Sequence, residues 1–213
     1  MSTVLQIKSS IFDNPAQQGI SSQLGDELVA RLRAQAGATT LLLRDFSTDP
    51  VPYFDHHYLQ AMATPAAQRS AQQVAKIAYS DTVIAEVQQA DVLVIGVPMY
   101  NFAVPAMLKS WTDHLARAGL TFRYTETGSE GLLKNKKVYL VLSTGGQHAE
   151  GVSDFMRPYL RTILNFLGLT DIEMIVADGL NMGSNSREEG LRVAREQIEN
   201  VDMTYLLQLG VAA

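Results

Sequence analysis

The stretch from Val92 to Pro105 reads VLVIGVPMYNFAVP, and it decides the fold. Its first four residues, Val92 to Ile95, are an uninterrupted apolar run without the alternation of a strand that has one face in water. Such a run is typical of a strand covered on both faces, as in a parallel sheet between two helix layers. The residues that follow it would stand at the carboxyl edge of that sheet, where open α/β sheets bind ligands.

Four further β-type segments alternate with helical patterns on either side of this strand. The additional strands are predicted at Val4 to Ile7, Thr39 to Leu43, Lys137 to Leu142 and Ile172 to Ala177. Alternation of strands with helices implies parallel pairing through crossover helices. We therefore predict an α/β fold in which a five-stranded parallel sheet forms the middle of a three-layer sandwich, with residues 1–213 as one domain.

The helices between these strands are predicted from apolar spacing and from residues that favour helix ends. They run from Ile20 to about Gly37, from Thr64-Pro65 to about Gln89, from Pro105 to about Ala118, from about Ser153 to Leu167, and from Ser186 to about Leu209. Ser21 and Ser22 lie where an N-cap belongs, and Pro65 suits a first helical turn. Ser186 and Glu189 have capping-box spacing.

Composition excludes several classes of protein. The chain has 213 residues and no cysteine, which rules out disulfides, thiolate metal sites and a cysteine nucleophile. Its net charge of −5 makes it a poor partner for nucleic acid or an anionic membrane. The N-terminus lacks a signal-peptide layout, and no apolar stretch approaches the ~20 residues that span a bilayer, so a cytoplasmic protein is expected. His56-His57 lacks further ligands at metal spacing, so no metal site is predicted.

The loop after the first strand is polar and rich in hydroxyl groups. It runs from Ser9-Ser10 to Ser21-Ser22 and ends at a helix N-terminus, where free amides and the helix dipole favour a phosphate. The sequence contains neither a G-x-G-x-x-G dinucleotide motif nor a P-loop. The alternative is that these serines are only turn and cap residues.

The loop after the Val92 strand delivers Met99, Tyr100, Asn101 and Phe102 to the same edge of the sheet. Apolar and aromatic side chains beside a placed amide suit a flat aromatic ligand. Prolines on both sides of the segment restrict its backbone. The alternative is that Tyr100 and Phe102 are core residues.

The loop after the fourth strand contains Ser143, Thr144, Gly145 and Gly146, followed two residues later by His148. Paired glycines let backbone amides approach a ligand closely. Amides and an imidazolium at this point would stabilise negative charge on a reduced flavin ring. The alternative is a flexible turn with an exposed histidine. The three loops together predict one site for a phosphate and a planar heterocycle, which suggests FMN.

The sequence also resembles a known family, the FMN-dependent azoreductases, which are also described as NADH:quinone oxidoreductases of the flavodoxin-like fold. The matching segments are Pro98 to Phe102, Ala118 to Glu126, Gly128 to Gly131, Ser143 to Gly146, and Phe166 to Asp171. The resemblance follows the whole chain in order. It implies a flavodoxin-like sandwich with strand order 2-1-3-4-5.

The resemblance also implies roles for individual residues. Ser10, Ser21 and Ser22 would hold the phosphate, whereas Met99 to Phe102 and Ser143 to Gly146 would bind the flavin ring. The family is homodimeric with each flavin at the subunit interface. Phe102 would line the substrate pocket, and Tyr124 and Phe166 match positions that line it from the partner subunit. His148 and Tyr124 are the candidates for orienting the substrate or relaying a proton.

The implied activity is ping-pong hydride transfer from NADH or NADPH, through FMN, to a quinone or an azo compound. Two alternatives stay open: a flavodoxin-like electron carrier or FMN-binding regulatory module, and an α/β scaffold that has lost its flavin. The sequence departs from the family in two places. The first loop is longer than the usual Ser-x-Ser pattern, and Thr144 takes the place of an arginine that often precedes the two glycines.

Overall fold

Residues 2–12, 17–36 and 39–202 are described by the computed structural model of the protein. Its strands are β1 Ser2–Lys8, β2 Thr39–Asp45, β3 Val92–Pro98, β4 Phe122–Thr125, β5 Gly128–Gly131, β6 Lys137–Ser143 and β7 Asp171–Ala177. Its α-helices are α1 Ile20–Ala36, α2 His56–Ala63, α3 Ala71–Gln89, α4 Ala106–Leu115, α5 Met156–Leu167 and α6 Ser184–Glu199. Within these ranges no helix is both long and apolar enough to cross a bilayer.

Five of the strands form one parallel sheet in the order β2-β1-β3-β6-β7. Counted within the sheet alone, this is 2-1-3-4-5, so the predicted flavodoxin-like fold is confirmed. All seven residues of β3 are buried, as its apolar run predicts, because helices cover both faces of the sheet. The order changes direction next to β1 and β3, which places a ligand crevice at their carboxyl ends.

The two faces of the sheet are covered by different helices. On one face, α1 packs Leu24, Leu28 and Leu32 into a core that also contains side chains of α6. On the other face, α3, α4 and α5 surround the fully buried ring of Trp111. These α1 leucines recur every four residues, which is the apolar spacing that predicts the first helix, and they hold α1 against the sheet.

The two shortest strands, β4 and β5, form an antiparallel hairpin that the sequence did not predict. Phe122 opens the hairpin, and its ring centre lies 4.4 Å from that of Phe166 in α5. The other three residues of β4 are exposed. A four-residue strand with a mostly exposed pattern gives no buried run by which to recognise it.

The helix predicted to begin at Thr64-Pro65 begins instead at Ala71. Ser70 is its N-cap, and it forms a reciprocal capping box with Gln73 that satisfies two backbone amides. Pro65 only precedes a short 3-10 helix at residues 66–68. The preceding segment with His56-His57, where no helix was predicted, is helix α2, whose N-cap Asp55 accepts a hydrogen bond from the backbone of Tyr58.

Other helix ends or caps also differ from the prediction. The carbonyl of Gly19 accepts from the amides of Ser22 and Gln23, so α1 begins before the two serines that were expected to cap it. Helix α6 begins at Ser184 because the hydroxyl of Ser186 donates to a loop carbonyl rather than capping the helix. It ends at residue 199 instead of near 209, and residues 203–213 lie outside the described part. The expected end of the first helix at residue 37 also lies outside it.

A histidine is buried among aromatic rings where α2, α3 and α4 meet. The His114 Nε2 atom lies 2.9 Å from the carbonyl oxygen of Pro52, and its Nδ1 atom has no partner among the described residues. Its ring centre lies 4.5 Å from that of Tyr58 and 5.1 Å from that of Tyr79. Burial lowers the pKa of His114, because the imidazolium would be poorly solvated there.

This burial predicts a stability that depends on pH. The pKa of His114 in the folded protein lies below the unfolded value of about 6.5, so unfolding takes up a proton below that pH. The stabilisation is complete above pH 6.5 and falls by at most about 1.4 kcal/mol per pH unit below it. Urea unfolding at pH 7.5, 6.5 and 5.5 should show this loss, and His114→Gln should show a smaller one. An equal loss in both proteins would contradict the assignment.

Candidate functional site

A cleft of about 610 Å³ opens at the carboxyl ends of β1, β3, β6 and β7. We call it the first cleft. The residues that were predicted to bind a cofactor and that line it are Ser10, Met99, Tyr100, Ser143, Thr144 and Gly145. They come from three separate loops, after β1, β3 and β6. The parallel sheet therefore brings the three loops of the sequence prediction to one place.

Hydrogen bonds between these loops fix their relative positions. The hydroxyl oxygens of Ser10 and Tyr100 lie 3.4 Å apart, and the Ile11 amide donates to the same Tyr100 oxygen at 3.3 Å. The Met99 amide donates to the carbonyl of Ser143 at 2.8 Å. The loop after β3 is thus held on one side by the β1 loop and on the other by the end of β6.

The N-terminus of α1 closes one end of the first cleft. Gly19 lies directly against Ser10, since a Cβ at Gly19 would be 2.4 Å from the Ser10 Oγ atom. Ser21 and Ser22 are buried in the first turn and are not among the residues that line the cleft. The Ser21 Oγ atom has no partner among the described residues. A helix N-terminus beside the Ser10 hydroxyl provides amide and hydroxyl donors that suit a phosphate.

The loop after β6 is held from behind by the loop after β7. Three consecutive amides of residues 179–181 donate to the carbonyls of residues 144–146, at 2.8 to 3.1 Å. The carbonyls of residues 144–146 therefore already accept hydrogen bonds. The amides of Gly145 and Gly146, in contrast, have no acceptor among the described residues. Gly145 lines the first cleft whereas Gly146 does not, so the Gly145 amide is the donor that this loop can offer to a bound ring without first breaking an internal hydrogen bond.

Several residues of the first cleft were missed by the sequence prediction. Those from the β1 loop and α1 are Phe12, Gln17, Gln18, Gly19, Ile20 and Gln23, and those from the end of β7 and from α6 are Leu180, Asn181 and Arg187. The rule that sites form at carboxyl ends applies to the fifth strand as well, and it would have found Leu180 and Asn181. No sequence motif marks Arg187, which lies in the first turn of α6.

A second cleft, of about 690 Å³, lies on the other side of Tyr100, and we call it the second cleft. Its lining is largely apolar and includes Val104, Phe155 and Tyr159. Asn101, which was predicted to bind the cofactor, lines this cleft and not the first one. Tyr100 lines both, so the polar first cleft and the apolar second cleft adjoin at a single side chain.

Asn101 and Phe102 form a tight turn with an unusual backbone. Tyr100 and Ala103 exchange two backbone hydrogen bonds, of 3.0 and 3.1 Å, around them. The φ angles of Asn101 and Phe102 are +50° and +69°, in the left-handed region that non-glycine residues seldom adopt. This backbone presents the Phe102 ring to solvent, with its centre 5.8 Å from that of His148. The strain is local and lies beside the cleft.

The remaining predicted residues, Tyr124 and Phe166, line neither cleft. Tyr124 is 76% exposed and packs edge-on against Phe122, at 5.5 Å between ring centres. His148, by contrast, lies near the Phe102 turn, with its Nδ1 atom 3.2 Å from the Ser153 hydroxyl. The two residues proposed to orient substrate therefore lie at separate places within one chain: Tyr124 on the β4–β5 hairpin, and His148 beside the turn at Phe102.

Comparisons with known proteins agree with this fold. A family model described as having the flavodoxin-like fold matches residues 2–201. The FMN-dependent NADH:quinone oxidoreductase of Cellvibrio japonicus is 48% identical over 199 residues, which are 93% of this chain and 98% of that protein. The protein of the same name from Leptothrix cholodnii is 47% identical over 210 residues, 98% of each chain.

Solved structures of azoreductases also share this fold. The azoreductase of Bacillus anthracis has a TM-score of 0.85 and 26% identity, over 98% of this chain and all of that one. The azoreductase AzrA has a TM-score of 0.84 and 26% identity, over 97% of this chain and all of that one. Both clefts and the β4–β5 hairpin lie within residues 2–201, which the family model matches.

Proposed function

Because this chain belongs to the family with the flavodoxin-like fold, we propose that it is an FMN-dependent NADH:quinone oxidoreductase that also reduces azo compounds. Relatives with 47% and 48% identity carry the quinone oxidoreductase name, and the similar solved structures are azoreductases. The observation that carries the proposal is the single first cleft that Ser10, Tyr100 and Gly145 line together.

The lining of the first cleft fits FMN. The phosphate would be held beside Ser10 at the N-terminus of α1, with Ser21 and Ser22 in its first turn. The ring would pack against Met99 and Tyr100, which line the first cleft, with Asn101 and Phe102 in the adjoining turn, and would meet the free Gly145 amide of the Ser143–Gly146 loop. The apolar second cleft next to Tyr100 suits a flat hydrophobic acceptor.

When bound, FMN would supply the two-electron chemistry between NADH and the acceptor, for which we propose a ping-pong order. The protein positions the reactants and stabilises charge. The amide of Gly145 would donate to the ring where negative charge develops, and the proposal gives the neighbouring Gly146 amide the same role. Phe102 excludes water from the acceptor, and His148 orients the acceptor or relays a proton.

The proposal includes a homodimer with each flavin site at the subunit interface. Tyr124 and Phe166 would then line the cleft of the partner subunit. Their place in this chain supports that role, because they line neither of its own clefts and Tyr124 is exposed. The proposal further treats residues 1–213 as one FMN-binding domain, and it places the protein in the cytoplasm, where reduced nicotinamide is available.

The purified protein should be yellow and should oxidise NADH faster when benzoquinone is added. NADPH is assayed in parallel, and the same protein stripped of flavin is the control. A protein that binds no added FMN would remove the proposal. A protein that binds FMN but does not accelerate NADH oxidation with benzoquinone would favour the electron-carrier alternative.

A further inference from the structure

The first cleft contains one ionised side chain among the described residues that line it, and this is Arg187. The other polar residues of the lining are neutral serine, threonine, tyrosine, glutamine and asparagine side chains. A phosphate monoester carries close to two negative charges near neutral pH. An arginine pairs with a phosphate through charge-assisted and often bidentate hydrogen bonds, so a cation in the cleft adds to what neutral donors and a helix N-terminus provide for such a ligand.

Arg187 forms no ion pair within the part of the chain that the structure describes. Its one side-chain hydrogen bond goes from Nη1 to the Leu180 carbonyl at 3.4 Å, which is long for such a bond. The neighbouring glutamines are already engaged: Gln18 donates to Asp26 at 2.9 Å, and Gln23 donates to the Gln18 carbonyl at 2.6 Å. The Arg187 guanidinium therefore keeps N–H donors that are available to a ligand, whereas the side-chain amides of Gln18 and Gln23 already donate within the protein.

The position of Arg187 in its helix is unfavourable without an anion. The residue lies in the first turn of α6, which has no acidic residue to complement the helix dipole. A cation at this end of a helix is repelled by the positive end of the dipole. Residues at the N-termini of α1 and α6 line the same first cleft, so both helix dipoles and the guanidinium favour a negative group there.

We propose that Arg187 is the cation that binds the FMN phosphate in this chain, and that it supplies the positive charge that Thr144 does not. This inference rests on the proposed function, because it concerns a residue toward the cofactor of that function. Arg187 acts on affinity and not on the redox step. The expected consequence is a preference for FMN over riboflavin, which has the same ring and lacks the phosphate.

The test measures flavin affinity rather than turnover. Flavin is removed from the purified holoprotein, and FMN and riboflavin are titrated back while quenching of flavin fluorescence is followed. Arg187→Met should weaken FMN binding about tenfold and leave riboflavin binding unchanged. Arg187→Lys should lose less FMN affinity than Arg187→Met, because lysine keeps the positive charge although it lacks the planar guanidinium group. Arg192→Met is the matched control, because Arg192 lies on the same helix but is paired with Glu189 and Glu196.

Each outcome decides the proposal. Unchanged riboflavin binding shows that the Met variant has kept its fold and its ring site. An equal loss for both flavins, or no loss for either, overturns the phosphate assignment. If FMN affinity were unchanged and the parallel assays with NADH and NADPH showed a changed ratio of turnover, Arg187 would be assigned to a nicotinamide phosphate and the proposal would also be overturned. A wild-type protein that binds neither flavin would refute the proposed function itself.

Discussion

Alanine at position 190 is expected to destabilise the protein by about 2 to 3 kcal/mol. Gly190 lies inside α6, where exchanging glycine for alanine normally stabilises a helix by up to about 1 kcal/mol. Here the added Cβ would come within 2.2 Å of the Asp178 carbonyl oxygen, which is backbone and has no side-chain freedom to yield. The helix must move outward, and this movement separates it from the sheet edge and shifts Arg187, one turn away.

The matched control is Gly25→Ala. Gly25 is also a helix-interior glycine, in α1, but its added Cβ would lie 3.5 Å from the Gln6 Nε2 atom, an ordinary contact. This variant should gain about 0.5 to 1 kcal/mol. Urea unfolding of the two variants and the wild type checks the opposite signs. If Gly190→Ala were as stable as Gly25→Ala, the close approach of α6 to residue 178 would be refuted.

The second large effect is expected at Phe102. Removing its ring should lower kcat/KM for benzoquinone about 30-fold, which corresponds to about 2 kcal/mol of aromatic stacking. The ring is more than half exposed and lies beside the His148 ring, so its loss leaves no cavity in the core. The effect should therefore appear in turnover and not as unfolding.

Two variants separate the ring from the backbone strain. Phe102→Ala removes the ring and keeps a Cβ at φ +69°, whereas Phe102→Gly removes both. Glycine adopts that angle freely, so the glycine variant should be more stable than the alanine variant by about 1 kcal/mol. Both should lose the same activity. Equal stabilities would show that the turn is unstrained, and unchanged kcat/KM would show that the ring does not contact the acceptor.

The sheet could be predicted from sequence because its signal is local and strong. Buried runs such as Val92 to Ile95 identify central strands without any knowledge of their partners. The caps were harder, since Thr64-Pro65 and Ser70 both resemble helix starts, and only the completed capping box with Gln73 distinguishes them. The β4–β5 hairpin is short and mostly exposed, so its strands leave no apolar pattern.

The candidate site was predictable to a similar extent. Three loops carry recognisable chemistry, and the parallel sheet brings residues from each of them into one cleft. The contribution of the β7–α6 loop was missed because it acts through its backbone. The amides of residues 179–181 donate to the carbonyls of residues 144–146, and such bonds do not depend on side chains that a sequence motif could reveal. Arg187 was missed because a lone arginine in a polar helix has no periodicity or motif, and only the fold places it at the cleft.

The first cleft draws on residues from Ser10 to Arg187, nearly the full length of the described chain. Its assembly therefore has a consequence for biosynthesis. A nascent polypeptide cannot capture the cofactor until α6 has left the ribosome, because one end of the binding surface is translated last. Products of premature termination before residue 187 should therefore be colourless, even when they already contain most of the strands.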